Sequence, residues 1–197
     1  MLAYEFTRWW AYRRIDDEKM RQYVWTVPLS LTAICFVIYY ALPVRPGIIG
    51  SGGLFDKASL AFTLLPGFFI SALAAVATFN RTEMDETMPA PAPKVEIRHR
   101  GKTIEIELTR RMFLSYLFSY LSMMSFCLFF AVNVFGIIRQ NVEHWLLLLP
   151  WVEWRNSVMF LVDNAAMLVF VYFCASVIVT MLHGIYFLCE RIHMPNS

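Results

Sequence analysis

Apolar runs long enough to cross a bilayer recur four times along this 197-residue chain, and its charged residues collect between them. The runs cover 23–42, 58–79, 112–138 and 164–189, and none contains Asp, Glu, Lys or Arg. A helix needs about 20 mostly apolar residues to cross the hydrocarbon core, so each run predicts a transmembrane helix. The polar segments carry patterns of their own. Leu2, Phe6, Trp9 and Trp10 recur at helical spacing, which predicts an amphipathic interfacial helix over 1–22 whose Arg13 and Arg14 reach lipid phosphates. A Pro-rich stretch, 88–93, predicts a stiff extended linker. Strict alternation follows. Val95, Ile97, Ile104, Ile106 and Leu108 fall on one face, and Glu96, Arg98, Glu105 and Glu107 on the other, with Gly101 at the centre. That is a β-hairpin signature. A turn at Gly101-Lys102 sets Ile97 opposite Ile106 and Arg98 opposite Glu105. A turn at Arg100-Gly101 shifts the register and keeps the two faces.

The expected fold class is therefore an all-α membrane protein with four transmembrane helices and a small β-hairpin between the second and third. Its expected segments are an N-terminal interfacial helix (1–22), spans one and two (23–79), a linker and hairpin (80–111), and spans three and four with a short tail (112–197). Composition agrees. Hydrophobic residues make up 58% and charged residues 16%, against about 45–50% and about 25% in soluble domains. Charge then orients the chain. Of the 17 Lys and Arg, five lie in 1–22, seven in 80–111 and one in the tail, leaving four for the two other loops. Cytoplasmic loops carry the excess of basic residues, so both termini and the hairpin are expected in the cytoplasm of a bacterial inner membrane. The charged, Trp-rich start lacks a small-residue cleavage site, which predicts an uncleaved first span.

The remaining loops differ in kind. Pro43, Pro46 and four glycines make 43–53 a flexible turn, with no Gly-Lys-Ser/Thr ending for a phosphate loop. In 144–154, Trp145, Trp151 and Trp154 surround Pro150, which predicts a loop lying in the outer interface. Within the second span, Gly67, Ser71 and Ala75 recur every fourth residue, beside a row of Ala74 and Thr78. Small residues at that interval let helices approach closely in lipid, within one chain or between copies.

Candidate chemistry is sparse. Asn133, Asp163 and His183 are the polar groups within or at the ends of the spans, and Asn164 adjoins Asp163. Intramembrane polar groups are functional candidates by default. Asp163 is expected at the interface and His183 as a neutral packing group. The four cysteines read as packing residues in spans. No nucleophile, base and orienting group assemble, and no metal-ligand spacing occurs, so no enzyme activity, cofactor or metal is expected. Segment 80–111 has seven basic against six acidic residues, a poor footprint for nucleic acid. An isolated two-stranded hairpin is marginal in water, so its apolar face must cover something: a second copy, the span ends, or a soluble protein. Val95, Ile97, Arg98, Ile104, Ile106 and Leu108 are the candidate partner-binding residues.

The layout of four spans, cytoplasmic termini and a cytoplasmic insertion between the second and third spans resembles the membrane subunit of the bacterial Kiwa anti-phage defence system. That resemblance covers the full chain and implies an inner-membrane homo-oligomer, a tetramer, that recruits a soluble DNA-binding subunit, KwaB. The expected function is an oligomeric sensor or scaffold, in contact with membrane lipids, that recruits a soluble cytoplasmic effector. A pore-forming effector or small channel is the alternative, and an accessory subunit of a larger membrane complex is a third reading.

Overall fold

The computed structural model describes residues 4, 7–15, 18–50, 52–78, 82–89, 92–99, 102–147 and 152–190. Four helices are long and apolar enough to cross a membrane. The first, α1, runs on through an α turn Glu18–Arg21, a π turn Gln22–Thr26 and an α-helix Val27–Ala41. The others are α2 (Leu54–Thr78), α3 (Arg110–Leu147) and α4 (Val152–Cys189). Between α2 and α3 stand β1 (Lys94–His99) and β2 (Lys102–Glu107), an antiparallel pair. A 3-10 helix, Arg8–Arg14, precedes α1.

Neighbouring residues at the helix ends set the arrangement. Tyr23 of α1 meets His183 of α4, and Tyr40 bonds to Asn164, so α1 and α4 run antiparallel. Arg111 of α3 donates to the Val76 carbonyl of α2 (3.0 Å), while Phe55 meets Phe135 at the opposite ends. α2 packs along α3, α3 along α4, and α1 along α4. The buried share of each span rises from 17% in the first to 39% in the fourth. α3, between α2 and α4, and α4, between α3 and α1, are the inner helices, and α1, with only Pro28 and Thr32 buried in its Val27–Ala41 part, lies at the edge.

The seams follow heptad arithmetic. α2 buries Phe55, Phe62, Phe69 and Val76, each seven residues after the last. α3 buries Leu114, Leu117, Leu121, Met124 and Leu128, at intervals of three and four. A repeat of seven keeps one stripe facing its partner as the helices coil. Pro66 sits on the buried side of α2, where its missing N–H leaves the Phe62 carbonyl without its usual donor.

Three points take shape. First, the small-residue row of α2, left open between contacts within the chain and between copies, is turned outward in the single chain. A Cβ on Gly67 would meet nothing within 4 Å, Ser71 is exposed and bonds back to the Gly67 carbonyl, and Ala75 is half-buried. The row used inside the chain is on α4: Ser176, Thr180 and Gly184, four apart and all buried. Tyr120 hydrogen-bonds Ser176 (2.9 Å), and a Cβ on Gly184 would stand 2.9 Å from Leu117. Aromatic residues on α2 take the inward face, Phe55 meeting Phe135 of α3 and both Phe55 and Phe62 meeting Phe170 of α4, which leaves the small face over.

Second, the described parts of 144–154 are helical. Residues 144–147 end α3 and 152–154 begin α4, with Trp145 and Trp154 exposed; residues 148–151, Trp151 included, lie outside the described residues. α3 and α4 each have 38 residues, about 57 Å at 1.5 Å per residue, against a core of about 30 Å. Polar residues can extend a helix beyond the apolar run because its backbone bonds are made within the helix. Arg139 holds the extensions together, donating to both Asp163 oxygens (2.8 and 3.1 Å) and to Glu143 (3.4 Å).

Third, the glycine-rich turn is folded. Leu54 and Phe55 donate to the Gly47 and Ile48 carbonyls, and the Gly52 N–H caps onto Asp56. Gly50 and Gly52 take φ of 108° and 78°, a left-handed backbone that glycine adopts without strain.

Gly184→Ile must push α3 and α4 apart and should cost about 1–3 kcal/mol, the range for overpacked cores. Gly67→Ile, with open space around it, should leave the stability of the single chain unchanged. Thermal unfolding of both variants in mild detergent checks this; equal losses would refute the assignment of the two faces.

Candidate functional site

One end of the bundle carries a polar module made of the 3-10 helix, the start of α1, and the hairpin. It begins with a consequence of Pro28. Proline has no N–H, so the carbonyl of Val24, four residues earlier, loses its usual α-helical donor. The helix passes through the π turn Gln22–Thr26 just there. Arg13 fills the place: its Nη2 donates to the Val24 carbonyl (3.1 Å) and to the Tyr172 hydroxyl of α4 (2.7 Å). The guanidinium lies 4.0 Å from the Trp25 ring centroid and 5.0 Å from that of Trp10. Flat cation and flat ring suit one another.

The 3-10 helix is thereby drawn into the protein. Residues 1–3, 5 and 6 lie outside the described residues, Leu2 and Phe6 among them. Where a single helix over 1–22 was expected, a 3-10 turn is followed by an extended Ile15 and then α1. Ala11, Tyr12 and Ile15 are buried. Tyr12 stacks on Tyr120 of α3 at 5.4 Å, and Trp9 and Trp10 pack on the same ring. Burial, and then the neighbouring Tyr120, push the Tyr12 phenol up, so it stays neutral. Within the chain Arg13 meets aromatic rings, a hydroxyl and a carbonyl, while Arg14 is exposed.

Hairpin pairing sets Ile97 opposite Ile104, Val95 opposite Ile106, and His99 opposite Lys102. The register is the one a turn at Arg100-Gly101 requires, so Ile97 does not face Ile106; the two turn residues themselves lie outside the described ones. The apolar face is spent within the chain. Val95 and Leu108 are buried with Met84 and Met88, Ile97 and Ile106 are half-buried against them, and Ile104 is 41% exposed. Of the six residues expected to bind a partner, Arg98 and Ile104 are the accessible ones.

The hairpin is also clasped, and both ends of 88–93, expected as a stiff extended linker, take part in the clasp. Met88 donates to Leu108, Leu108 to Pro93, and Arg110 to Glu86, with a bridge between Thr87 and Thr109. Met88 and Pro93 are buried; Ala90 and Pro91 lie outside the described residues. Arg110 pairs with Glu86 at 3.6 Å, and Arg111 grips both Asp85 oxygens at 2.7 and 3.2 Å. That guanidinium holds the Asp85 carboxyl below the usual carboxylate range.

The two edges differ. The Arg98 N–H donates outward to the Tyr4 hydroxyl (3.1 Å), and the Glu96 carbonyl accepts outward from Arg8 (2.7 Å). Arg8 also donates to the Tyr116 hydroxyl. In an antiparallel pair, inward and outward groups alternate, so Thr103 and Glu105, opposite Arg98 and Glu96, also turn their backbone groups outward. Among the described residues, nothing bonds to them there.

The other candidate polar residues lie away from this module or inside the packing. Asn133 is exposed and donates to the Phe129 carbonyl. Asp163 is bound to Arg139 at the opposite end. His183 is buried beside Tyr23 and Phe113, with ring centroids 4.8 and 5.7 Å away. Among the described residues no three His, Cys, Asp or Glu gather as metal ligands. Cys35, Cys127 and Cys189 are exposed and Cys174 half-buried, all as free thiols. Comparison with protein-family models, curated proteins and solved structures finds no match to this chain.

If Arg13 answers the carbonyl that Pro28 orphans, the two are coupled. Arg13→Ala should cost about 1.5–3 kcal/mol, the range for charged hydrogen bonds, and less in a Pro28→Ala background, where a backbone donor returns. A double-mutant cycle on thermal unfolding measures this; strictly additive losses would refute the link. The Asp85–Arg111 clasp has its own signature. A carboxylate with a lowered pKa contributes stability above the unfolded value, near 3.9, and that contribution goes as pH falls through the folded value. Asp85→Asn should flatten this acid limb by lowering stability at neutral pH toward the level the wild-type chain has in acid, which thermal unfolding in mild detergent across pH would read.

Proposed function

We propose that this multi-pass membrane protein is an oligomeric docking platform that presents the open edge of β2 to a soluble cytoplasmic protein. The observation that carries the reading is the asymmetry of the hairpin. Its β1 edge is closed by Arg8 and Tyr4, its base is clasped by Arg110 and Arg111, and its β2 edge is left open. A strand held rigidly with unpaired backbone groups is a template for an added strand.

The excess of Lys and Arg in 1–22, 80–111 and the tail favours a cytoplasmic hairpin, with both termini on that side of a bacterial inner membrane. The unfilled Gly67–Ser71 face of α2 supports assembly of several copies through that helix. Resemblance to the membrane subunit of the Kiwa defence system favours a tetramer whose soluble partner is a DNA-binding effector of the KwaB kind. The chain would then act as sensor and scaffold, the chemistry lying in the partner.

Thr103→Pro tests the edge. It removes an outward N–H without touching the bonds to β1. Tagged protein is purified in mild detergent from its native host, and co-purifying proteins are quantified by mass spectrometry. A near-equimolar soluble partner should fall about tenfold with the variant, equivalent to about 1.4 kcal/mol. A partner retained at full level would sink the edge assignment.

A further inference from the structure

A cavity of about 990 Å³ opens between the 3-10 helix, the first turns of α1 and β1. Its charge is one-sided. Arg8, Arg13, Arg14, Arg21, Lys94 and Arg98 line it, against Glu96 and Glu105. Two unit charges 4 Å apart interact by about 1 kcal/mol in water and about 4 kcal/mol near a protein surface, so gathering six cations in one cleft opposes folding unless something offsets it.

The six divide into two groups. Arg8 and Arg13 are spent on Glu96, Tyr116, Val24 and Tyr172, and so stand as fixed positive charges in the walls. Arg14, Arg21, Lys94 and Arg98 are exposed, and among the described residues none has an ion-pair partner. The side chains of Asp16, Asp17 and Glu18 lie outside the described ones. Tyr4, Thr7 and Thr103 add hydroxyls to the lining, and Ile15, Met20, Val24 and Trp25 give it an apolar side. These residues sit where the first span begins, at Gln22, and Trp25 is half exposed there, at the depth where tryptophan sits in a headgroup layer.

We propose that this cleft binds the headgroup of an anionic phospholipid from the adjoining leaflet. The phosphate takes the free cations, above all Arg14, Arg21 and Arg98, and the glycerol and first methylenes lie on Met20, Val24 and Trp25. A free phosphate shares the first half of this chemistry and has no use for the second. The site is more than a general attraction of basic loops to acidic lipid, because its cations come from three separate segments and face one cavity. Bound lipid would join the 3-10 helix to β1, next to the proposed docking edge.

The test uses the full chain, delipidated in mild detergent. Thermal unfolding is followed while phosphatidylglycerol, phosphatidylcholine or inorganic pyrophosphate is added, and native mass spectrometry counts retained lipid. Phosphatidylglycerol should raise Tm at concentrations where phosphatidylcholine does not. Arg14→Gln/Arg21→Gln/Arg98→Gln should raise the half-saturating concentration about tenfold or more. Arg98→Gln alone, on the exposed hairpin face and remote from the spans, should shift it in the same direction. Lys102→Gln, outside the cleft, should not. An equal Tm rise from pyrophosphate would overturn the lipid assignment. A phosphatidylglycerol effect that all these variants leave unchanged, or no such effect in the wild-type chain, would overturn the site.

Discussion

The structure depends on one half-buried cation meeting one abandoned carbonyl. Pro28 takes a donor out of α1 within its first turns, and Arg13 supplies the replacement from outside the helix. Because the same nitrogen also reaches Tyr172, the edge helix α1 and the inner helix α4 are joined through a residue that belongs to neither. Without it, α1 would rest on α4 mostly by the apolar contacts of a helix that buries little of its own surface. Lipid competes for such contacts on equal terms, since hydrocarbon tails are as apolar as the side chains they would replace. A hydrogen bond from a charged donor has no counterpart among the lipid tails.

The four helices were legible in the sequence because the cost of an unpaired charge in hydrocarbon leaves a gap in the pattern that nothing else mimics. The hairpin was legible through its alternation. Packing was not. A small-residue row says that two helices can approach, and both α2 and α4 have one; the heptad of Phe55, Phe62, Phe69 and Val76 decides which face of α2 turns inward, and it is readable only once the row is doubted. The ends of α3 and α4 also escaped, because apolar runs report where lipid is and helices obey their own backbone. The fate of Arg13 could have been anticipated: a proline four residues beyond a carbonyl, near a basic, aromatic-rich segment, is a signal of an outside donor.

The hairpin belongs to the bundle. Its apolar face completes a core that begins with Met84 and Met88 and continues through Phe113 and Phe187. Glu96 and Glu105 lie directly opposite one another across it, a like-charge pairing that disfavours the strands by a few tenths of a kcal/mol to about 1 kcal/mol. The fold tolerates this because the clasp at the base and Arg8 at the edge hold the strands from outside. If the open β2 edge is the docking surface proposed above, it is offered in one shape, and a partner would lose little entropy in ordering it.

α3 has a mechanical consequence. It runs from the clasped Arg110 to Leu147 without a proline and with a single glycine, Gly136. A rod about 57 Å long that tilts by about 5° carries one end about 5 Å sideways relative to the other. The hairpin is bolted to one end by Glu86 and Asp85, and the other end projects beyond the apolar run. Any change in the bilayer that tilts α3 would therefore act through a lever whose end is the base of the strand pair.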